Sequence, residues 1–262
     1  MAESSSTNSG LRLAGKVAIV TGGASGIGEA TARVFADQGA RMVVIADIQD
    51  ELGNQVVASI GTHRCTYVHC DVADEDQVQN LVQSTVNIYE KLDIMFSNAG
   101  ILSPSDQTVS ELDMSQFDRL FSVNVRGMAT CVKHAARAMV ERRVRGSIVC
   151  TASVSANHGG LKSTDYTMSK HAVLGLMRSS SVQLAVHGIR VNCVSPNGLV
   201  TPLTCKKGVS EEKVKEAYAQ YARLQGVVLT PKHVADAVLF LVSNESEFVT
   251  GLDLRVDGCF KF

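Results

Sequence analysis

The stretch TGGASGIG, residues 21–28, decides the fold, because it follows the apolar run KVAIVT at 16–21 and opens a helix-like segment. A glycine-rich turn between a strand and a helix lets the backbone approach a pyrophosphate, and the helix N-terminus offers free N–H groups to the phosphates. This strand–turn–helix context favours a dinucleotide-binding turn over a plain glycine-rich turn. The predicted cofactor-binding residues of the turn are Gly22, Ser25, Gly26, Ile27 and Gly28.

Apolar runs rich in Val and Ile alternate with amphipathic stretches along the chain, which predicts strands and helices in turn. The predicted strands are 16–21, 41–46, 66–70, 92–97, 147–151 and 190–194. The predicted helices are 26–38, 49–59, 74–89, 113–142, 165–187 and 231–243. This order favours an α/β fold, a single Rossmann-type domain whose doubly wound parallel sheet carries helices on both faces.

The length of 262 residues fits one domain of this class. We expect a disordered polar tail at 1–12 and a dinucleotide-binding catalytic domain at 13–262. Within the domain, the stretch 201–226 has less strand character than its surroundings. Since it follows the sixth predicted strand, where doubly wound sheets place ligand-covering elements, we interpret it as a flap over the substrate.

Composition disfavours several classes of function. The formal net charge is −1 and basic residues are scattered, which argues against nucleic acid or an anionic membrane as partner. No apolar run reaches the ~20 residues that span a bilayer. The seven cysteines and seven histidines show no metal-binding spacing, so we predict no metal site. This cysteine usage, with no visible targeting segment, predicts a cytoplasmic protein.

A carboxylate closes the second predicted strand. Asp47 stands 19 residues after Gly28, where it can accept the hydroxyls of the adenosine ribose and would repel the extra phosphate of NADP. Neither Ser25 nor the following residues, Ile48 and Gln49, offers the cation that an NADP site requires. NAD is therefore the predicted cofactor, with Ile48 beside it; a solvated strand-end Asp is the alternative interpretation.

Two further strand ends are candidates for cofactor contact. Asp71 ends the third strand, where its carboxylate is placed to accept from an adenine amino group, although a helix cap is the alternative. Asn98, Ala99 and Gly100 end the fourth strand, and their small size leaves room for ribose and nicotinamide at the edge where α/β sheets bind ligands.

Tyr166 and Lys170 stand four residues apart on a predicted helix and thus share one face. A free tyrosine has a pKa of about 10. A nearby ammonium and the positive ring of an oxidised nicotinamide favour the phenolate, so the tyrosine can take a hydroxyl proton as hydride leaves the carbinol carbon. The same spacing often occurs by chance in a pair of surface residues without a catalytic role. The catalytic interpretation therefore depends on neighbouring residues.

Two such neighbours are present. Ser153 follows the fifth strand and is placed to donate to the substrate oxygen; Ser155 and a simple loop or cap role are the alternatives. Asn124 would interrupt its helix and hold a water that links Lys170 to solvent, although an Asn can also be merely tolerated there.

These motifs together resemble the short-chain dehydrogenase/reductase family across about residues 13–258. The resemblance rests on TGGASGIG, Asp47, the Asp71-Val72 pair, NAG at 98–100 and the residues just described. It implies a catalytic tetrad of Asn124, Ser153, Tyr166 and Lys170, with Tyr166 and Lys170 also contacting the cofactor. It further implies cofactor contacts from Val72 and a nicotinamide-binding segment that contains Pro196, Leu199 and Thr201.

The same resemblance implies a sheet of about seven strands, because 249–251 and 256–258 match the family's C-terminal strand region, and a homotetramer paired through the two long helices. Within the family the chain is similar to the plant subgroup of secoisolariciresinol, xanthoxin, isopiperitenol and borneol dehydrogenases. That likeness implies NAD-dependent oxidation of a lipophilic secondary alcohol, such as the monoterpenol borneol. A lignan, sesquiterpenoid or steroid alcohol is the alternative substrate, and a non-catalytic NAD-binding protein is the alternative function.

The substrate side has few charges in its candidate wall segments, which disfavours phosphorylated or acidic substrates. The candidate wall residues are Leu102, Val154, Leu161, Leu203, Tyr218 and Tyr221. His158 is interpreted as a surface-loop residue rather than a substrate contact. Ser97, Asn197 and Cys259 depart from common family residues, and Asn197 is the departure closest to the nicotinamide segment.

Overall fold

The computed structural model describes residues 10–205 and 210–260. Most of the predicted tail, residues 1–9, therefore lies outside the described residues, as do 206–209 of the predicted flap and the last two residues of the predicted domain. In the described part no helix is both long and apolar enough to cross a bilayer.

Seven parallel strands form one sheet among the described residues, in the order β3-β2-β1-β4-β5-β6-β7. Their bounds are β1 Val17–Thr21, β2 Met42–Asp47, β3 Cys65–His69, β4 Ile94–Ser97, β5 Ser147–Thr151, β6 Arg190–Pro196 and β7 Asp253–Val256. The strand order reverses between β1 and β4, and ligands of open α/β sheets bind in the crevice at such a point. The predicted doubly wound parallel sheet is confirmed.

The α-helices of the described part are α1 Gly26–Asp37, α2 Asp50–Ile60, α3 Glu75–Tyr89, α4 Met114–Phe121, α5 Met128–Glu141, α6 Thr164–Leu184, α7 Glu211–Ala219 and α8 Pro231–Val242. Two apolar cores lie on opposite faces of the sheet. One includes Leu81 of α3, Met139 of α5 and Met177 of α6. The other includes Phe35 of α1 and Val238 of α8, so helices cover both faces as predicted.

The long predicted helix 113–142 is wrong as a continuous α-helix. A π-helical segment, Ser122–Gly127, separates α4 from α5. Asn124 lies in this segment, and its side chain bonds the backbone of Ile101 across the crevice. π-helical segments are frequent at functional sites, and here the bulge directs a buried amide toward the loop after β4.

The predicted flap contains a helix that the periodicity did not reveal. α7 is capped by Ser210, whose hydroxyl accepts the Lys213 N–H at 3.4 Å. Its sequence EEKVKEAYA buries only Val214 fully, so the apolar stripe that normally identifies a helix is nearly missing. The described part of the flap thus consists of α7 with a loop on either side.

Candidate active site

A cavity of about 620 Å³ lies at the carboxyl ends of the strands, over the crevice between β1 and β4. Its lining contains every cofactor-binding residue predicted from the sequence except Gly28. Of the predicted tetrad, Ser153, Tyr166 and Lys170 line it. Asn124 is buried just behind the wall, since its Oδ1 is 3.3 Å from where a Cβ on Gly100 would lie.

The glycine turn leaves no room for side chains. Gly22 has φ +66°, and a Cβ there would lie 3.0 Å from the Cα of Ala99. A Cβ on Gly28 would lie only 2.0 Å from the carbonyl oxygen of Gly22. Gly28 therefore packs α1 against the turn, behind the surface that faces the cavity, which explains why it does not line it.

The first turn of α1 faces the cavity and suits an anion. Ser25 precedes the helix in extended backbone, and no capping bond from its side chain is found among the described residues. The free N–H groups of the turn and the positive end of the helix are therefore available to a pyrophosphate. By this test the residues present fit a dinucleotide.

Asp47, at the end of β2, is buried and held from both sides. One carboxylate oxygen accepts the Ala24 N–H of the glycine turn at 3.1 Å. The other accepts the Gln49 N–H at 3.1 Å and its side-chain amide at 3.2 Å. These bonds fix the carboxylate in the cavity wall beside the glycine turn, with the exposed Ile48 next to it.

Asp71 does not cap the following helix, so that alternative interpretation is wrong. Its Oδ1 accepts the Ala73 N–H at 2.9 Å. Asp74 caps α3 instead, by accepting the N–H groups of Asp76 and Gln77. Asp71 and Val72 both line the cavity, where the adenine end of a dinucleotide would lie.

Thr21 fixes the end of β4 to the glycine turn. Its hydroxyl accepts the Asn98 and Ala99 N–H groups at 2.9 and 3.1 Å. The Asn98 side chain in turn donates to the Thr21 carbonyl at 3.1 Å and accepts from the Thr151 hydroxyl at 3.0 Å. The NAG segment is thereby held between β1 and β5, at the centre of the crevice.

Lys170 lies at the base of the site and is almost fully buried. Its Nζ donates to the Thr151 carbonyl at 2.9 Å and lies 5.3 Å from the centre of the Tyr166 ring. Burial lowers the pKa of Lys170 to about 8. The predicted helix-face pairing of Tyr166 and Lys170 is present, with the ammonium over the aromatic ring.

Tyr166 is half-buried in the cavity wall. In the protein alone burial raises its pKa to about 12, although a hydrogen bond with Ser153 works in the opposite direction. The expected lowering of the Tyr166 pKa by Lys170 does not contribute to this shift in the protein alone, where desolvation is the largest cause. The positive charge of an oxidised nicotinamide would add to the Ser153 hydrogen bond in favouring the phenolate.

Ser153 has the cap role that was the alternative for it, and it also contacts Tyr166. Its hydroxyl caps the short 3₁₀ turn Val154–Ala156 by accepting the Ser155 N–H at 3.1 Å. Its side chain also forms a hydrogen bond with the Tyr166 side chain. Ser155 lines the cavity as well, but of these two serines it is Ser153 that bonds the Tyr166 side chain.

The segment after β6 closes over the glycine turn. Leu199 is buried, and its carbonyl accepts the Thr204 hydroxyl at 2.6 Å. The Thr201 methyl group would lie 3.3 Å from a Cβ on Gly26, so this residue packs directly on the turn. Pro196, Leu199 and Thr201 thus share one wall with the turn, as the predicted nicotinamide-binding segment requires.

The substrate end brings together most of the predicted wall residues, with two corrections. Leu161 is 97% exposed and is absent from the described residues that line the cavity. His158 lies in a loop, as predicted, but it is half-buried rather than on the surface, since its ring lines the cavity and stacks on Phe260. The remaining predicted wall residues, Leu102, Val154, Leu203, Tyr218 and Tyr221, all line the cavity.

Two wall features were not found from the sequence. Phe260 lines the cavity although it lies in the last residues of the chain. Gly198 lets the Tyr218 ring pack flat on the backbone, since a Cβ there would lie 2.0 Å from the ring. A glycine so soon after Pro196 could have indicated that another group packs closely on the backbone at this point. No local sequence pattern indicates that Phe260 lines the cavity.

Comparisons with known proteins agree with this geometry. A family model described as enoyl-(acyl carrier protein) reductase matches residues 22–261. A Mentha piperita protein named (-)-isopiperitenol/(-)-carveol dehydrogenase, mitochondrial, is 58% identical over 248 residues, which are 94% of each chain. A (+)-cis,trans-nepetalactol synthase from Nepeta racemosa is 58% identical over 250 residues, 94% of this chain and 93% of that one.

More distant relatives extend the comparison. Secoisolariciresinol dehydrogenase from Forsythia intermedia is 51% identical over 251 residues, 95% of this chain and 90% of that one. The crystal structure of a short-chain type dehydrogenase/reductase from Mycobacterium marinum matches with a TM-score of 0.86 and 31% identity, over 95% of this chain and 96% of that one. Two of the four plant enzymes in the predicted subgroup are thus found among the relatives.

The family is an oxidoreductase family, and its dehydrogenase members share nearly the full length of the chain. A Rossmann fold of this kind typically binds a nicotinamide dinucleotide, which agrees with the glycine turn and the free helix N-terminus. The chain belongs to the short-chain dehydrogenase/reductase family.

Proposed function

We propose that the protein oxidises a lipophilic secondary alcohol to a ketone with NAD, and that a cyclic monoterpenol such as borneol is its substrate. The observation that carries this proposal is the meeting of Ser153, Tyr166 and Lys170 in one cavity, beside the glycine turn and opposite apolar walls. A reactive tyrosine beside a cofactor site, with a wall made largely of apolar side chains, fits hydride transfer from an apolar alcohol.

Each polar residue has a separate task in this reaction. When bound, NAD accepts the hydride from the carbinol carbon. Ser153 donates to the substrate oxygen and holds it near the Tyr166 hydroxyl, with which Ser153 is already bonded. Tyr166 takes the hydroxyl proton as general base, and the Lys170 ammonium stabilises the phenolate from its buried position.

Asn124 supports the lysine side of the site. Its amide holds the Ile101 backbone through bonds of 2.8 and 3.0 Å, which places it next to Gly100 and close to Lys170. We propose that the remaining hydrogen-bonding capacity of this amide orders a water between Lys170 and solvent, so that the proton taken by Tyr166 can leave the site.

NAD rather than NADP is the proposed cofactor because of Asp47. Its buried carboxylate is held by Ala24 and Gln49. Lys170 and Arg119 are the only lysine and arginine among the described residues that line the cavity, and neither forms an ion pair with Asp47. A 2′-phosphate placed there would meet an unpaired negative charge, which costs several kcal/mol in a poorly solvated site.

The apolar wall favours a lipophilic substrate, and the names of the relatives point in the same direction. One relative is named for the monoterpenols isopiperitenol and carveol, and another for the lignan secoisolariciresinol. The 620 Å³ cavity must hold both cofactor and substrate, so we favour a compact terpenol over a lignan, sesquiterpenoid or steroid alcohol, which are the alternatives.

We also propose a homotetramer in the cytoplasm. Two apolar side chains are strongly exposed, Val182 of α6 at 76% and Val186 of the 3₁₀ turn that follows it at 84%, and a second copy packing on this face would cover them. Mass photometry of Val186→Glu against wild type tests the pairing, because a tetramer that persists in the variant would exclude this face. All seven cysteines are free thiols, as a reducing compartment requires, and a fluorescent fusion tests the location.

An absorbance assay at the reduced-nicotinamide band tests the proposed reaction. Purified protein is incubated with NAD or NADP and with borneol, carveol and a steroid alcohol, and products are identified by mass spectrometry, since one relative is named a synthase rather than a dehydrogenase. We expect NAD-dependent formation of a ketone from a cyclic terpenol. No turnover of any alcohol, together with measured NAD binding, would contradict the proposal and favour a non-catalytic role.

A further inference from the structure

Three ring side chains from distant parts of the chain meet at the substrate end of the cavity. Phe260 stacks on His158 with 4.7 Å between ring centres and an interplanar angle of 28°. It also stacks on Tyr221, with 5.7 Å between centres and 19° between planes. All three rings line the same cavity as Tyr166 and Ser153. We call His158, Tyr221 and Phe260 the aromatic clamp.

Backbone bonds fix the position of the central ring. Phe260 pairs with Ala222 in an isolated antiparallel bridge. The N–H groups of Arg223 and Leu224 both donate to the Gly258 carbonyl at 2.9 Å. Gly258 has φ +60°, and a Cβ there would lie 3.2 Å from the Ala222 side chain. The end of the chain is therefore held against the segment after α7, and the Phe260 ring is placed by this pairing.

The clamp joins three elements with different tasks. His158 lies in the loop that begins with Ser153 after β5, and Tyr221 follows α7 in the predicted flap. Phe260 comes from the end of the chain after β7. The Phe260 ring thus connects the loop after β5, which contains Ser153, with the segment that follows α7. Stacked rings at such a junction, with Phe260 half-buried at their centre, provide contact surface for an apolar ligand rather than chemistry.

We propose that Phe260 is a specificity-determining residue, and that its ring, held by His158 and Tyr221, sets the largest alcohol that fits beside Tyr166. This inference rests on the proposed oxidation of lipophilic alcohols. A smaller side chain at 260 opens the wall between the loop and the flap, whereas a larger one extends into the space that a bicyclic substrate fills. Only the substrate end changes, because the glycine turn and Asp47 lie at the opposite end of the cavity.

Phe260→Ala and Phe260→Trp test the inference in opposite directions. Cyclohexanol, borneol and testosterone serve as small, intermediate and large secondary alcohols, and kcat/KM is measured for each with NAD. We expect the testosterone-to-borneol ratio to rise about tenfold or more in Phe260→Ala, and the borneol-to-cyclohexanol ratio to fall by a similar factor in Phe260→Trp, as pocket contacts of this size usually give. The KM for NAD stays unchanged in both.

Phe248→Ala is the matched control, since Phe248 is a fully exposed phenylalanine in the same part of the chain. Its substrate ratios should equal those of wild type. Circular dichroism checks that each variant is folded, and Phe260→Leu replaces Phe260→Ala if the latter is not. Ratios that differ by less than about threefold from wild type in the folded variants overturn the inference.

A binding measurement separates this inference from the proposed reaction. Thermal shifts by camphor and by androstenedione report ligand size preference whether or not the protein turns over an alcohol. If wild type oxidises none of the alcohols, the proposed function fails, and the inference then depends on the binding data. A larger shift by the steroid ketone in Phe260→Ala than in wild type supports the clamp, whereas equal shifts in both proteins overturn it.

Discussion

The two ends of the cavity are built differently. The cofactor end is fixed by short, specific contacts: Thr21 holds Asn98 and Ala99, and Asp47 is bonded to the glycine turn. The substrate end consists of partly exposed apolar side chains, such as Leu203 at 44% and Tyr221 at 43% exposure. Polar contacts with fixed geometry determine which cofactor and reaction the site supports, whereas an apolar wall constrains mainly size and can change without loss of the chemistry.

Removal of the general base should produce the largest effect. Tyr166→Phe removes the hydroxyl that takes the proton, so we expect turnover to fall by ~10²–10⁴-fold or more. NAD binding, measured by protein stabilisation, should persist because the cofactor end is intact. Wild-type turnover in this variant would show that Tyr166 is not the general base, and would contradict the assignment of the catalytic residues to the N-terminal end of α6.

Lys170→Met should change activity and the pH dependence of stability together. Burial lowers the pKa of Lys170 to about 8 from 10.5, so between these values the unfolded chain binds more protons than the folded protein. The free energy of unfolding of wild type should therefore rise with pH in this window. Below about pH 8 both states are protonated, and the folded protein bears the full cost of the buried charge.

The Lys170→Met variant lacks this titration, so the difference in stability between the two proteins reports the titration of Lys170 alone. From pH 8 to 10.5 the free energy of unfolding of wild type should rise relative to Lys170→Met by about 3 kcal/mol at most. Urea unfolding of both proteins at several pH values measures the difference. Parallel stability curves across this window would show that the lysine is not desolvated as its position in the structure requires.

Asp47→Ala should weaken the preference for NAD, since it removes the charge that repels a 2′-phosphate. We expect the ratio of kcat/KM for NAD to that for NADP to fall ~10–100-fold, in line with the cost of placing like charges together. Asp50→Ala is the matched control, because this nearby carboxylate bonds Tyr67 and His69 instead of the turn. If the ratio were unchanged in Asp47→Ala, residues other than Asp47 would determine the choice between NAD and NADP.

The smallest effect is expected in the substrate wall. Leu102 lines the cavity, whereas Leu161 is exposed and lies outside its described lining. Leu102→Ala should lower kcat/KM for a cyclic terpenol about tenfold, because one apolar contact is lost. Leu161→Ala should leave it unchanged. Equal effects of both substitutions would contradict the assignment of Leu102, and not Leu161, to the substrate wall.

Local patterns in the sequence predicted the cofactor end well. The glycine turn depends on positive φ and on close backbone approach, and both require glycine at Gly22 whatever the rest of the fold does. Asp47 ends a strand of buried Val and Ile residues, so its place at the sheet edge follows from periodicity alone. Six strands were predicted to within two residues at their starts for the same reason.

The remaining features depend on contacts between distant residues. The π-helical segment forms around Asn124, whose partner Ile101 is 23 residues away. α7 escaped detection because its polar surface needs only Val214 in the core. His158 was misplaced because its partner, Phe260, comes from the end of the chain. No window of local sequence contains both members of such a pair.

Deuterium transfer tests the central claim most directly. The protein is incubated with NAD and with borneol deuterated at the carbinol carbon, and the reduced cofactor is analysed by mass spectrometry. Transfer of the hydride predicts NADH that carries one deuterium, together with camphor as the ketone product, and neither should form with Tyr166→Phe. Reduced cofactor without deuterium, or camphor formed without reduction of the cofactor, would contradict the proposed mechanism.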